Sequence, residues 1–351
     1  MIYVVPSLKA KEKLQSEGKA WAESQGFTYV PRGKRTIQDL MDEYGEDFLV
    51  YSSRGPQIDR PEGSHFFSLN MAELRIQNLR KGQPDHLLEA LLGEKAQSAS
   101  DSDAAARRQT QNDDIVAGSQ QLVERKLQLG RTPYGVGAPM RGARANSVDG
   151  PNGTGEGFAG RTLQSAALTA PLHRGASRTA AAQPPITILD CTCGFGADAA
   201  VASFGLPAGS RVDALEVSPL LEAVTSWGFS HFVHKKDDVT AALRRISLRR
   251  GDYRDYLLSD EGPVYDVLYF DPMFQRPVES SCQFQPVRAI MEHGGLTRDL
   301  IERALQKARR RVVIKERDFR QLCRDFPEVT LYGGKYSRIG YAVLECDSWK
   351  K

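Results

Sequence analysis

Acidic side chains and a pair of glycines in the second half of the sequence have the spacing of a cofactor site. Residues 186–190 form a short apolar run that predicts a buried parallel strand ending at Asp190, and Gly194 and Gly196 follow before an Ala-rich helix. A strand, a glycine turn and a helix bring backbone N–H groups to a helix N-terminus, where a cofactor can bind. Glu216 ends the next predicted strand, where its carboxylate could accept hydrogen bonds from ribose hydroxyls.

The charge at these strand ends separates two classes of cofactor. The run from Gly194 to Ala199 satisfies the loose G-x-G-x-x-A pattern of nicotinamide dinucleotide folds. An anionic Asp190 at the entry of the turn would repel a pyrophosphate, whereas it suits a cofactor that carries an amine and a sulfonium. Asp190 and Glu216 together therefore favour S-adenosylmethionine, and Asp252 adds a third acid after the third predicted strand.

A second motif, D-P-M-F at Asp271 to Phe274, has residues suited to amine chemistry. An exocyclic amine of a nucleobase is a poor nucleophile because its lone pair is delocalised into the ring. Asp271 and the carbonyl of Pro272 could hold the amine hydrogens, and Phe274 could stack the base for about 1–3 kcal/mol. The structural alternative is that Asp-Pro only ends a strand and Phe274 belongs to the core. The position of the D-P-M-F motif directly after the fourth predicted strand favours a catalytic role.

The predicted elements bring these motifs to one edge of a doubly wound sheet, since the carboxyl ends of parallel strands lie together. In the second half, strands are predicted at 186–190, 211–217, 246–248, 265–270 and 311–314, a terminal pair at 329–332 and 340–345, and helices at 197–203, 219–229, 239–245 and 296–309. In the first 92 residues, strands are predicted at 2–5, 27–30, 48–51 and 66–69, and helices at 8–25, 37–44 and 71–79, the second capped by Thr36.

Composition predicts three parts: a small α/β extension at 1–92, a low-complexity insertion at 93–184 and a catalytic domain at 185–351. Ser, Ala, Gly, Arg, Gln and Asp dominate the insertion, which has too few apolar residues to offset the entropy of ordering a chain. We therefore expect the insertion to be disordered. The alternative is an Arg-containing tether that makes weak RNA contacts.

Charge and cysteine content limit the class of protein. Lys plus Arg outnumber Asp plus Glu by only 47 to 44, so any nucleic-acid contact must come from local patches. Five cysteines, an odd number, predict reduced thiols rather than a disulfide framework. With neither a signal-peptide pattern nor an apolar run of about 18 residues, the chain is predicted to be soluble and cytoplasmic.

At the level of motifs, the sequence resembles a known family. The runs D-C-T-C-G-F-G-A-D, L-E-V-S-P and Y-F-D-P-M-F-Q-R-P look like a class I S-adenosylmethionine-dependent methyltransferase. They are most similar to the small-subunit ribosomal RNA methyltransferase J family, which methylates the exocyclic amine of a guanine. M-A-E-L-R, K-G-Q-P-D and V-I-K-E-R, which begin at residues 71, 81 and 313, also resemble its Gram-positive-type relatives.

This resemblance implies a Rossmann-like sheet of seven strands with a terminal antiparallel strand. It also implies S-adenosylmethionine as cofactor, without a metal, and ribosomal RNA or the small ribosomal subunit as partner. Glu216 and Val217 would hold the ribose, Asp252 and Tyr253 the adenine edge, and Asp271 the transferring end. The other expected cofactor contacts are Asp190, Thr192, Gly194, Gly196, Ala197 and Asp198, and the expected catalytic residues are Asp271, Pro272 and Phe274.

Some features leave alternatives open. Cys191 and Cys193 replace the small or apolar residues usual in the first loop of this family. They are expected to line a tight turn, because no second Cys or His pair has zinc spacing. The basic clusters are expected to be solvated helix faces, or to position phosphates if they flank the active site; they are residues 244, 245, 249, 250 and 254, and residues 307 and 309–311. The alternatives for function are a methyltransferase of a small molecule or protein side chain and a non-catalytic, cofactor-binding RNA-binding protein.

Overall fold

The first part of the chain forms a five-stranded sheet with four helices. A computed structural model describes residues 1–93, 183–272, 295–333 and 339–349. The elements of the first range are β1 (Tyr3–Pro6), α1 (Glu12–Ser24), β2 (Thr28–Tyr29), α2 (Ile37–Tyr44), β3 (Phe48–Ser52), β4 (Gly55–Arg60), β5 (Gly63–Phe66), α3 (Asn70–Arg80) and α4 (His86–Leu92). The strand order is β2-β1-β3-β4-β5, with the pairs of β1 parallel and the others antiparallel.

The described residues from 183 onward form the predicted seven-stranded sheet. Its strands are β6 (Thr187–Asp190), β7 (Arg211–Glu216), β8 (Ile246–Arg250), β9 (Val267–Phe270), β10 (Arg311–Glu316), β11 (Thr330–Tyr332) and β12 (Gly340–Glu345). They lie in the order β8-β7-β6-β9-β10-β12-β11. All neighbours from β8 to β10 are parallel, and β12 is antiparallel to both β10 and β11. The predicted fold class, with its terminal antiparallel strand, is confirmed.

The described residues of this second part also form seven helices. They are α5 (Ala197–Gly205), α6 (Pro219–His231), α7 (Asp237–Leu243), α8 (Tyr253–Leu258), α9 (Arg298–Lys307), α10 (Arg320–Asp325) and α11 (Cys346–Trp349). Helix α4 and the short helices α8, α10 and α11 were not predicted. Apart from these and strand β4, the elements begin or end within a few residues of their predicted limits. No helix among the described residues is long and apolar enough to cross a membrane. The predicted disordered insertion lies outside the described residues.

Strand β4 differs most from the sequence prediction. The pattern predicted no strand here, because Gln57, Asp59 and Arg60 break the apolar alternation. In the structure all six residues of β4 are buried. The amide of Gln57 donates to Asp59 at 2.8 Å, and the guanidinium of Arg60 donates to two backbone carbonyl groups. These bonds satisfy the buried polar groups, which allows a polar sequence to form an inner strand.

One hydrophobic cluster joins the N-terminal part to the seven-stranded sheet. It includes Phe67, Leu87 and Leu88 from the first part and Ala199 and Phe229 from the second, all buried. Gly228 of α6 allows the closest approach, because a Cβ atom there would lie 1.9 Å from the Phe67 ring. The described residues accordingly fall in a single compact unit. The boundaries predicted at residues 92 and 185 stay a prediction.

Candidate active site

A cavity of about 450 Å³ lies at the carboxyl edge of the seven-stranded sheet. The segments that follow β6, β7, β8 and β9 line it, together with side chains of β10, β12, α3 and α4. The structure places eleven of the predicted site residues in its wall: Asp190, Thr192, Gly194, Ala197, Asp198, Glu216, Val217, Asp252, Tyr253, Asp271 and Pro272. Gly196 is not in the wall, and Phe274 lies outside the described residues.

The two predicted glycines of the turn after β6 are needed for different steric reasons. Both have positive φ, 54° at Gly194 and 75° at Gly196, a conformation that other residues rarely adopt. A Cβ atom on Gly196 would meet the Phe229 ring at 2.4 Å, so this glycine lets α5 begin close to α6. A Cβ atom on Gly194 would come no nearer than 3.9 Å to its neighbours, so its missing side chain leaves room in the cavity.

Glu216 ties the end of β7 to the glycine turn. Its Oε2 accepts the N–H of Gly194 at 2.8 Å, and its Oε1 accepts the N–H of Ser218 at 2.9 Å. Burial raises the pKa of the Glu216 carboxyl, although these backbone bonds oppose the shift. Each carboxylate oxygen can accept a second hydrogen bond. The ribose contact predicted for Glu216 is therefore chemically compatible with the turn it stabilises.

Asp190 and Asp252 have contrasting surroundings. Asp190 is buried and accepts the N–H of Thr192 at 3.1 Å; burial raises its pKa well above the usual value, and two nearby carboxylates add to the shift. A cationic group in the cavity would favour its ionised form. Asp252 caps α8, accepting the N–H of Arg254 at 2.8 Å, and forms an ion pair with the guanidinium of the same residue.

Asp198, in the first turn of α5, is held by protein groups on both oxygens. Arg75 donates to Oδ1 at 2.5 Å, while the Tyr269 hydroxyl and Lys315 donate to Oδ2 at 2.8 and 2.7 Å. Burial alone would raise the pKa of Asp198, but the charges of Lys315 and Arg75 outweigh it and hold the pKa well below its usual range. Asp198 is therefore an anion that anchors two cations beside the cavity.

Asp271 directly follows β9, and its two carboxylate oxygens differ in their contacts with the described residues. Its N–H donates to the Thr192 hydroxyl at 2.7 Å, and its Oδ2 accepts from Lys315 at 2.7 Å. Its Oδ1 has no hydrogen-bond partner among the described residues. Burial raises the pKa of Asp271 to about 6; the charge of Lys315 opposes this shift, and that of Asp198 adds to it.

Sequence reasoning missed the cations that organise these carboxylates. Arg75 also forms a bidentate bond with Asp85, with both N···O distances at 2.7 Å. Asp85, Arg75, Asp198, Lys315 and Asp271 thus form a continuous chain of opposite charges, which we call the ion-pair chain. Arg75 and Lys315 both stand in runs that carried the family resemblance, but those runs implied no role for them. The signal that could have revealed Lys315 is a lysine directly after the apolar strand residues V-V-I.

The N-terminal part contributes directly to the cavity wall. Met71 and Arg75 of α3, and Asp85 and His86 at the start of α4, line the cavity that the glycine turn also lines. None of the four was predicted as a site residue. The cavity is therefore not complete without the first 93 residues of the chain.

The two cysteines of the turn behave as small buried residues. Cys191 and Cys193 are free thiols that pack into different hydrophobic clusters, and burial raises the pKa of each well above its usual value. Within the described ranges, no three His, Cys, Asp or Glu side chains are grouped so as to hold a metal ion.

Most arginines and lysines of the two predicted basic clusters bond protein groups. Arg244 and Arg245 donate to backbone carbonyls that follow or end helices, and Lys307 donates to one carbonyl within α8 and one just after it. Arg310 and Arg311 pair with Asp266 and Glu345, respectively. These side chains secure helix ends and strand ends as well as carrying surface charge.

The order of the seven-stranded sheet and the acidic cavity at its carboxyl edge define a class I methyltransferase fold. A family described as putative SAM-dependent methyltransferase matches residues 158–339, just over half of the chain. The chain belongs to this family, which confirms the predicted enzyme class and S-adenosylmethionine as its cofactor.

Relatives with curated names match the chain over part of its length. An uncharacterized protein, YpiP, of Bacillus subtilis is 35% identical over 37% of this chain and 51% of its own. The ribosomal RNA small subunit methyltransferase J of Hydrogenovibrio crunogenus is 31% identical over 38% of this chain and 49% of its own. The chain thus spans about half the length of these relatives. A solved SAM-dependent methyltransferase from Neisseria gonorrhoeae aligns with 98% of this chain and 96% of its own, at 14% identity and a TM-score of 0.47.

Proposed function

We propose that this protein methylates an exocyclic amine of a nucleobase, namely a guanine of small-subunit ribosomal RNA, in the cytoplasm. The observation that carries the proposal is the position of Asp271, which lies with Pro272 in the wall of the cavity that the predicted cofactor residues line and has one carboxylate oxygen without a hydrogen-bond partner among the described residues. The names of the relatives support ribosomal RNA or the small subunit as the substrate.

The cavity is suited to S-adenosylmethionine. Its volume of about 450 Å³ is within the range of small-molecule sites. Glu216 and Val217 would hold the ribose, while Asp252 and Tyr253 would contact the adenine. Asp190 and the residues of the glycine turn would lie toward the amino-acid end, where acidic groups suit an ammonium and a sulfonium. When bound, the cofactor supplies an electrophilic methyl group.

The residues of the chain prepare the amine to react. Oδ1 of Asp271 and the carbonyl of Pro272 would accept the two amine hydrogens and so turn the nitrogen lone pair toward the methyl group. Orientation of this kind can contribute several kcal/mol to the rate. As the new N–C bond forms, the nitrogen must lose one proton, which Asp271 can accept. With a pKa of about 6, Asp271 is ionised at neutral pH and remains basic enough for this role.

The proposal is tested by labelled-methyl transfer. Purified protein is incubated with methyl-labelled S-adenosylmethionine and with small subunits, or their free RNA, from cells that lack the protein and from the parent strain. We expect label only in RNA from the deletion strain, and mass spectrometry of the digested RNA should find it on the guanine amine. The Asp271→Asn variant should lose about 10²–10⁴-fold in kcat. Asp299→Asn, which alters an exposed acid on α9, is the matched control.

Other outcomes would decide against the proposal. An Asp271→Asn variant as active as the wild type would refute the assigned role of Asp271. Label in a protein or small-molecule fraction would favour the alternative substrates. Tight binding of the cofactor without turnover on any RNA pool would favour a non-catalytic RNA-binding protein.

A further inference from the structure

We infer that Lys315 is a positioning residue: it binds one oxygen of Asp271, keeps the carboxylate ionised, and so orients the other oxygen toward the acceptor amine. This inference rests on the proposed function and assigns Lys315 a task within it. Its basis is the geometry of the ion-pair chain, in which Lys315 links Asp198 to Asp271.

The sheet register places Lys315 beside Asp271. Ile314 of β10 pairs with Phe270 of β9, so the next residues, Lys315 still within β10 and Asp271 just past β9, lie side by side. The ammonium nitrogen lies 2.7 Å from Oδ2 of Asp271 and 2.7 Å from Oδ2 of Asp198. The side chain is only 14% exposed, so water does little to weaken these contacts.

Asp198 provides a fixed anchor for this lysine. Arg75 and the Tyr269 hydroxyl hold Asp198 from other directions. Asp198 therefore keeps a cationic partner without Lys315, whereas Asp271 does not, since Lys315 is the one cation bonded to it in the described part of the chain. The charge of Lys315 is thus needed chiefly at Asp271.

In the part of the chain that the structure describes, the other titratable groups that interact with Asp271 are acidic. Glu316 of β10, Asp198 of α5, Asp190 at the end of β6 and the Tyr269 hydroxyl of β9 all interact electrostatically with Asp271 or lie beside it. Tyr341 of β12 interacts with Lys315 and Asp198. Without the lysine, burial and like charge would drive Asp271 to take up a proton. Protonated Asp271 could no longer accept the proton that the amine must lose.

The experiment compares Lys315→Met and Lys315→Gln, which remove the charge, with Lys315→Arg, which keeps it. Lys13→Met, at a side chain that is 90% exposed on α1, is the control for loss of a lysine. The carboxyl group of Asp271 is followed by ¹³C NMR as a function of pH in the full chain without substrate, and Asp271→Asn identifies its resonance. We expect the midpoint to rise by at least about one pH unit in the neutral variants, to rise less in Lys315→Arg, and to stay unchanged in Lys13→Met.

Kinetics on ribosomal RNA give the second readout. The acid limb of kcat against pH should move upward with the NMR midpoint in Lys315→Gln, while KM for S-adenosylmethionine stays within about twofold. A uniform loss of kcat at every pH without a moved midpoint would reveal a merely structural lysine and overturn the inference. If Lys315→Met does not fold, Lys315→Gln carries the comparison, because its amide can still donate. Absence of wild-type turnover would refute the proposed function, whereas the NMR titration would still decide the role of Lys315.

Discussion

Replacing Arg75 by methionine should destabilise the protein more than replacing an exposed arginine would. Arg75 makes three charge-assisted hydrogen bonds, two to Asp85 and one to Asp198. The side chains of Asp85 and Asp198 are only 10% and 9% exposed, so water cannot replace the lost guanidinium. Removing one partner of a buried ion pair costs about 3–5 kcal/mol. Because Asp198 keeps Lys315 and Tyr269, we expect the lower end, about 3 kcal/mol.

The free energy of unfolding, measured by urea titration at pH 7, checks this value. Arg303→Met, at an exposed position of α9, is the control and should stay within about 0.5 kcal/mol of the wild type. The loss in Arg75→Met should shrink below about pH 4, because Asp198 has a lowered folded pKa: its contribution to stability is complete above its unfolded pKa near 3.9 and is lost progressively as the pH falls toward the lower folded pKa. A loss under about 1 kcal/mol at pH 7, or a loss shared by the control, would refute the reasoning.

Three further measurements test other contacts. Burial lowers the pKa of His65 to about 4, so stability should fall as the pH drops from about 6.5 to 4, and His65→Gln should remove this dependence; an unchanged profile would contradict it. Gly228→Ala should cost about 1–3 kcal/mol in urea unfolding, because the new methyl meets the Phe67 ring; a stabilised variant would show that the ring can move. Glu216→Gln should weaken cofactor binding about 10–100-fold by calorimetry, because its amide cannot accept from both Gly194 and its other N–H partner; unchanged affinity would speak against this link.

Local patterns predicted the elements whose stability is itself local. Helix α2 has its predicted limits, because Thr36 and Asp39 form a capping box within four residues. The terminal strand β12 also has its predicted limits, since its apolar run Y-A-V-L follows Gly340 and ends at the exposed Glu345. Strand β4 was missed because its polar residues are buried and satisfied by hydrogen bonds within the strand and to the carbonyl of Glu46, which a periodic apolar pattern does not reveal.

In the candidate site too, the residues set by local sequence could be predicted and those set by tertiary contacts could not. Asp190, Glu216 and Asp271 could be placed from the sequence, because each directly follows or ends a predictable parallel strand. Arg75 and Lys315 could not, because their contacts join residues 123 and 44 positions apart. Such pairings depend on how helix α3 packs on the sheet and on which strands are neighbours. The full pattern of charge in the cavity therefore emerges only from the tertiary structure.

The shared apolar cluster also limits how this enzyme could be dissected. A minimal fragment beginning at residue 183 would expose the surface of α5 and α6 that Phe67 and Leu88 cover, and it would lose the side chains of α3 from the cavity wall. Such a fragment would aggregate or remain inactive. Supplied as separate polypeptides, residues 1–93 and 183–351 would bind each other through this apolar cluster, as the two halves of a split protein do.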